Sequence, residues 1–331
     1  SQAAGRDVAR EIGGWVARPG FPILDVATRC VGGRTEVRLA QQRFSSQSLR
    51  ELAAMWHVPV ALRGGGTTRT LTLGREPATV HFDGCVPVIA NAGDTGYYRV
   101  RYDAGAGARL KRAFAKLPAL DRAAITADTL ALARRGGVPV ADYLALTALP
   151  APRTPGEWLL IVEGLDDLDE ALEGTPAQAA LRHWARARLA PQLDRLGWTD
   201  APGDSLTTLR LRGALVDALG RFDHAPTIER ARRTYADGTA APSTVAGVVN
   251  TIGRHADAAA YASLLAARRS ANGQEERWRL ERAIALVRDP ELAQRTLDLT
   301  LTDEWQPGVA TRMATQVGGA GGHSELAFAF V

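Results

Sequence analysis

The pattern of apolar and polar positions changes period once along the chain, near residue 105. Before that point the runs alternate with a period of two, as strands with one buried face do. "TEVRLAQQRF" puts Val37 and Leu39 on one face, "RTLTL" does the same with Leu71 and Leu73, and "ATVHFDG" with Val80 and Phe82 before a turn at Asp83-Gly84. The glycine run in "RGGGTTR" has neither a Gly-Lys-Ser/Thr ending nor a following helix, so it predicts a hairpin connection rather than a phosphate loop. A last strand lies in "NAGDTGYYRVRYD", residues 91–103, with Tyr98, Val100 and Tyr102 on a core face and Tyr97, Arg99 and Arg101 on a surface that meets a neighbour. Short strands joined by Gly-rich turns predict a small all-β sandwich.

After residue 105 the period is helical. "TPAQAALRHWARARLAPQLDRLGW" opens with Thr175 as N-cap and Pro176 at the first helical position, with Ala180, Leu181 and Trp184 at helical spacing. "SLTTLRLRGALVDALGRF" starts on Ser205, carries Leu209, Leu215 and Leu219, and is loosened at its end by Gly220. Asp289, Pro290 and Glu291 repeat the start signal, and segments 224–238, 241–255, 256–271 and 273–289 read as further helices. Short connectors make successive helices antiparallel neighbours, so the expectation is an all-α solenoid of HEAT- or armadillo-like helix pairs. The two edges carry a further expectation. "GRDVAREIGGWVARPGFPILDV" reads as the end of a helix and an extended exit, and "SELAFAFV" starts a helix it does not finish. The chain is therefore expected to be a piece of something longer.

Composition narrows the function classes. The 331 residues are 46% hydrophobic and 23% charged, a globular balance, and no apolar run reaches the length of a membrane span. Net charge is +4, yet only Lys111 and Lys116 are lysines, and the arginines alternate with Asp and Glu along helices without forming a basic block. Neither nucleic acid nor membrane is expected as a partner. The expected localisation is soluble, cytoplasmic or, behind a removed signal peptide, periplasmic. Cys30 and Cys85 cannot build a disulfide framework or a zinc knuckle; as strand residues they are expected to be buried free thiols, with a single bridge as the lesser alternative. None of the six histidines is followed by Glu or paired at a ligand spacing, and there is no G-x-S-x-G elbow, so no metal site and no independent hydrolase are expected.

The order of several short motifs resembles the C-terminal half of the aminopeptidase N family, the gluzincin zinc aminopeptidases that include the puromycin-sensitive and endoplasmic-reticulum enzymes. Trp15, Gly20, Phe21, Pro22 and Val26 match the exit from the family's catalytic domain. Gln41, Arg43 and Phe44, then Trp56, Pro59 and Val60, match two sandwich strands. Asn91, Gly96, Tyr97, Tyr98, Arg99, Val100, Tyr102 and Asp103 match its last strand. In the helical part the matches are Leu120, Arg122, Ile125 and Asp128, then Leu196 to Trp198, Leu209-Arg210, and Asp289, Pro290 and Leu292; Phe328 stands where the family has a tryptophan.

The resemblance implies a tail of the catalytic domain at 1–22, a sandwich at 23–104 and a solenoid at 105–331, truncated at its end. It implies Trp15, Gly20, Pro22, Asn91, Gly96, Tyr97, Tyr98, Arg99, Tyr102, Arg122 and Asp128 as structural signature positions rather than catalytic ones. The family's zinc motif H-E-x-x-H and its G-x-M-E-N segment are not in this sequence, and neither Met55 nor Met313 is followed by Glu-Asn. Zinc is thus a cofactor of the parent enzyme and of no residue here, and the chain alone is expected to be inactive. Its implied partners are the N-terminal and catalytic domains of the same polypeptide, and peptide substrates that the solenoid would gate. The alternative is a stand-alone sandwich–solenoid scaffold for protein partners.

Overall fold

The structure is a computed structural model that describes residues 8–16, 19–44, 55–305 and 307–331, so the first seven residues of the expected catalytic-domain tail lie outside the described residues. The chain folds as two compact units, Ser1–Glu157 and Trp158–Val331.

The first unit opens with α1 (Val8–Val16) and continues with β1 (Phe21–Val31), β2 (Arg34–Phe44), β3 (Val58–Gly64), β4 (Thr67–Leu73), β5 (Ala78–Asp83), β6 (Val88–Ala90) and β7 (Arg99–Tyr102). The strands form two sheets, in the orders β5-β2-β1-β7 and β4-β3-β6. Of these strands, only β1 and β7 pair in parallel, with Leu24 opposite Val100; the other pairs are antiparallel. Leu24, Val26, Val37 and Leu39 of one sheet and Val58, Val60, Leu62 and Leu73 of the other fill one shared core, which makes the expected sandwich. The "RGGGTTR" turn is a hairpin whose two turn residues, Gly65 and Gly66, have φ of 56° and 80°, the left-handed pair that a tight hairpin demands. Buried Gln41 clips the sheets together: it donates to the carbonyls of Trp56 (2.8 Å) and Gly74 (2.6 Å) and accepts from the Trp56 N–H (3.0 Å).

The cysteines depart from expectation. Cys30 and Cys85 are both exposed and joined in a disulfide, with Cα atoms 5.3 Å apart. The cause lies beside them: the Thr35 hydroxyl donates to the Gly84 carbonyl (2.8 Å) and accepts from the Val86 N–H (2.9 Å), drawing the loop around Cys85 onto the end of the β1–β2 ribbon.

Helices α2 (Ala104–Ala113), α3 (Ala119–Ala133) and α4 (Val140–Ala148), with a 3-10 turn at Phe114–Lys116, complete this unit. They close a second small core of Leu110, Phe114, Leu117, Ile125 and Leu146 against Ile89.

Helix α5 (Pro155–Ala171) leads into the second unit. It is followed by α6 (Pro176–Leu196), α7 (Leu206–Arg221), α8 (Ala225–Ala236), α9 (Val245–Arg254), α10 (Ala258–Ser270), α11 (Gln274–Ala285), α12 (Pro290–Leu299), α13 (Pro307–Gly318) and α14 (Ser324–Phe330). The Ser205 hydroxyl accepts from Thr208 N–H, and Asp289 from Glu291 and Leu292, as cap residues do. Thr175 does not cap α6; its hydroxyl donates back to the Leu172 carbonyl at the end of α5 instead. The buried stripe of α6 is Leu181, Ala185, Leu189 and Leu193, which leaves Ala180 exposed and Trp184 half-buried, one position off the expected face.

Every second helix packs side by side: α7 on α9, α9 on α11 and α11 on α13, while α8, α10 and α12 each touch the helices before and after them in sequence. Glycines permit this closeness. A Cβ on Gly213 would stand 2.3 Å from the Ser243 carbonyl, one on Gly247 2.7 Å from the Gly213 carbonyl, and one on Gly253 2.0 Å from the Ala283 carbonyl. Gly220 belongs to the same set. It does not loosen α7, which runs on to Arg221; it makes room for Thr251, which a Cβ there would meet at 2.2 Å. Between these helices and the outer ones lies a continuous core including Ile252, Tyr261, Leu264, Leu280, Ile284 and Met313.

Candidate functional site: an arginine-lined groove on the second unit

The close-packed row α7–α9–α11–α13 presents one continuous face, and a groove of about 790 Å³ runs along it. Helices α7 and α11 each contribute residues at i, i+3, i+4 and i+7 spacing, the repeat of one helical face, and α5 adds Leu159 and exposed Glu163. From α7 come Arg210, Gly213, Ala214 and Asp217; from α9, Ala246, Gly247 and Asn250. From α11 come Glu275, Trp278, Arg279 and Arg282, and from α13 Arg312 and Gln316. The floor is nearly bare backbone, because the close approach of α7 and α9 excludes large side chains there. The walls carry charge and one aromatic.

The charges are unevenly committed. Arg279 pairs with Glu275 (3.2 Å) and Arg312 with buried Glu281, while Arg210 and Arg282 have no ion-pair partner among the described residues. Both are exposed. Trp278 is 52% exposed, with the Arg312 guanidinium 5.8 Å from its ring centre. At the base, Asp217 binds Arg254 and accepts from the Asn250 amide (3.2 Å). Burial pushes the Asp217 carboxyl up, but the guanidinium of Arg254, with Arg282 and Arg221 farther off, outweighs burial and holds it below the usual carboxylate range. The Asn250 and Gln316 side-chain oxygens are buried without a hydrogen-bond partner, so the groove offers both unspent donors and unspent acceptors.

A second cavity in this unit, of about 270 Å³, also gathers arginines, but each is already neutralised. Arg182 is held by Asp169 and Asp223, Arg288 by Asp223, Arg254 by Asp217 and Arg221 by Asp166. That cluster ties helix ends together, and the groove is where charge remains available.

The signature residues lie elsewhere, in the first unit, and make structural joints. Trp15 on α1 stacks at a tilt near Trp56 (6.0 Å) and Tyr97 (6.3 Å). Gly20 has φ of 92°, and a Cβ there would meet the Arg43 guanidinium at 2.9 Å; Pro22 is buried in β1. Buried Asn91, at φ 62°, folds the loop before β7 by accepting from Gly96 N–H (2.7 Å) and donating to the Gly96 carbonyl (3.0 Å). Gly96 lies against the Tyr98 ring, which would stand 2.1 Å from a Cβ. In β7 and the two residues before it, Tyr98 and Val100 are buried and Tyr97 is 73% exposed, while the Tyr102 hydroxyl accepts from Ala90 N–H (2.9 Å). Asp128 accepts from Arg99 (3.0 Å) and from Val100 N–H (2.9 Å), fixing α3 to β7. Arg122 makes a two-pronged ion pair with Glu157 (2.8 Å on each oxygen) and donates to the Leu117 carbonyl. Burial would raise the Glu157 carboxyl, and its hydrogen bonds from Arg122 and Thr154 reverse that and lower it. Among the described residues no group of three or more His, Cys, Asp or Glu could hold a metal ion, and no helix is long and apolar enough to cross a membrane.

The class of fold is a β-sandwich followed in the chain by an array of helix pairs, the latter carrying a charged groove. The chain belongs to the family of ERAP1-like C-terminal domains, whose family model matches residues 87–331. It is similar to aminopeptidase M1-A of Oryza sativa subsp. japonica, at 25% identity over 97% of this chain and 39% of the relative. The puromycin-sensitive aminopeptidase of Caenorhabditis elegans is 27% identical over 72% of this chain and 26% of its own length, and aminopeptidase M1 of Arabidopsis thaliana 26% identical over 91% and 37%. The chain thus spans well under half the length of these relatives, and the resemblance to the C-terminal part of such aminopeptidases is borne out. Sequence reasoning did not single out the groove arginines. The spacing Arg210-Gly213-Ala214-Asp217 and Glu275-Trp278-Arg279-Arg282 was the available signal, hidden because a polar helical face ordinarily means bulk solvent.

Proposed function

We propose that this chain is the non-catalytic C-terminal portion of a zinc-dependent aminopeptidase, and that its helical unit, read as a solenoid, gates peptide access to the zinc of the parent enzyme. The groove is the face that meets the peptide. The observation that carries this reading is the pair of exposed arginines, Arg210 and Arg282, that have no ion-pair partner among the described residues and line the groove with Trp278. A peptide's terminal carboxylate forms charge-assisted hydrogen bonds with guanidinium groups, and its side chains pack on an exposed indole. The zinc and its ligands belong to the catalytic portion, because the described residues of this chain do not fit a zinc site.

The test is direct binding of peptides to the 331-residue chain, comparing a free C-terminus with its amide. Free-acid peptides should bind roughly tenfold more tightly than amides, and the double variant Arg210→Ala, Arg282→Ala should erase the difference. Equal binding of acid and amide, or an unchanged preference in the double variant, would remove the groove from peptide recognition.

A further inference from the structure

A cleft of about 280 Å³ opens in the first unit between α2, α3, α4 and the end of β7. Its interior is apolar: Val100, Leu110, Ile125, Leu132 and Leu146 line it and are themselves buried. Its roof is the face of α2 that carries Ala104, Gly107 and Ala108, at the i, i+3, i+4 spacing of one helical stripe. Gly107 is unlike the glycines of the α7–α9 row. A Cβ there would meet nothing within 4 Å, so no close approach requires it. A glycine inside a helix weakens the helix, and here the space it leaves is cleft.

The rim carries charge of both signs. Lys111 and Asp142 form an ion pair across the mouth at 2.9 Å, with side chains 38% and 44% exposed. Such a pair is held weakly and opens readily. Arg101 and Asp103 also line the rim, but each is partly committed: the Arg101 Nε binds Asp25 (2.5 Å), and Asp103 accepts from the Ala106 N–H (2.6 Å) at the start of α2. Unspent donors therefore remain on Lys111, and unspent acceptor capacity on Asp142.

We propose that this cleft binds a free apolar α-amino acid such as leucine or phenylalanine. Its side chain fills the apolar interior, its carboxylate takes the Lys111 ammonium, and its own ammonium takes the Asp142 carboxylate. One molecule thereby replaces the rim ion pair with two and stays neutral overall. A plain carboxylate would strand Asp142, and a plain amine would strand Lys111. The inference stands on this cleft alone and does not depend on the peptide-gating reading.

The test titrates the 331-residue chain with leucine, isocaproate (no ammonium), isoamylamine (no carboxylate) and glycine (no side chain), followed by NMR shifts and calorimetry. Leucine should give saturable binding, and each of the three comparators should bind at least roughly tenfold more weakly. Gly107→Leu fills the cleft while raising helix propensity, so it should abolish binding with an unchanged circular-dichroism spectrum; Lys111→Met, on the surface, should weaken it. The proposal is overturned if leucine causes no saturable shift up to tens of millimolar. It is overturned equally if isocaproate or isoamylamine matches leucine, or if a folded Gly107→Leu chain binds like the parent sequence.

Discussion

Asp128 is buried and accepts hydrogen bonds from Arg99 and the Val100 N–H, yet burial pushes its pKa up to about 7 against both. A carboxyl whose folded pKa lies above its unfolded value contributes stability that is complete below the unfolded pKa, near 4, and is lost as pH rises through the folded one. The chain should therefore lose stability between about pH 4 and pH 7 on account of this residue, by a few kcal/mol at most on the scale of about 1.4 kcal/mol per unit. Asp128→Asn removes the titration. Whatever its effect at pH 5, its stability relative to the parent sequence should be more favourable at pH 8, as read by thermal or urea unfolding at both values. Parallel pH profiles would show that Asp128 does not titrate there. The alternation in "GYYRVRY" told which faces of β7 are buried, and the structure buries Tyr98 and Val100 accordingly. It could not tell what the arginines do. Arg99 meets Asp128 across 29 positions and Arg122 meets Glu157 across 35, and nothing local to either residue announces a partner that far away.

Glycine has two opposite uses among the helices, and single substitutions separate them. At Gly253 a methyl group would stand 2.0 Å from the Ala283 carbonyl, so Gly253→Ala should force α9 from α11 and cost about 1–3 kcal/mol, in spite of better helix propensity. At Gly107 the surroundings are open, and Gly107→Ala should stabilise the chain by about 0.5–1 kcal/mol. Urea unfolding of both variants checks the pair, and a change of the same sign in each would sink the distinction. Element existence was legible from periodicity: the segments expected at 224–238, 241–255, 256–271 and 273–289 are α8 to α11. The role of Gly220 was not, because a glycine near a helix end signals a terminus in sequence and only packing shows that Thr251 needs the space. The cysteines were misread for a similar reason. Strand alternation speaks of burial, and both residues fall at ribbon ends where Thr35 gathers the loop. Their bridge spans 55 residues, and closing a loop of that size contributes about 2–4 kcal/mol by restricting the unfolded chain. Reductant, or Cys85→Ser, should lower the unfolding midpoint accordingly. A thiol assay finding two free cysteines in the untreated native chain would dispose of the bridge.

At the scale of the whole chain, each unit has its own buried apolar core, while much of the polar chemistry they carry is already spent on structure. A zinc site needs three or four ligands converging on one point. The histidines do not converge: the ring of His224 meets Thr227, that of His255 the Gly220 carbonyl, that of His323 the Val287 carbonyl, and His81 lies near Glu36 at the edge of the sandwich. Two of the groove's carboxylates answer arginines, Asp217 on Arg254 and Glu275 on Arg279, and the third, exposed Glu163, stands apart from them. Purified alone, the 331-residue chain should hold less than stoichiometric zinc by elemental analysis and release nothing from an alanyl anilide. The peptide binding proposed for the groove, by contrast, should survive a chelator, because guanidinium–carboxylate recognition needs no metal. Chelator-sensitive hydrolysis by this chain would mean that a catalytic site is assembled from residues no motif marks. Chelator-sensitive peptide binding would mean that the groove works through a metal and not through Arg210 and Arg282.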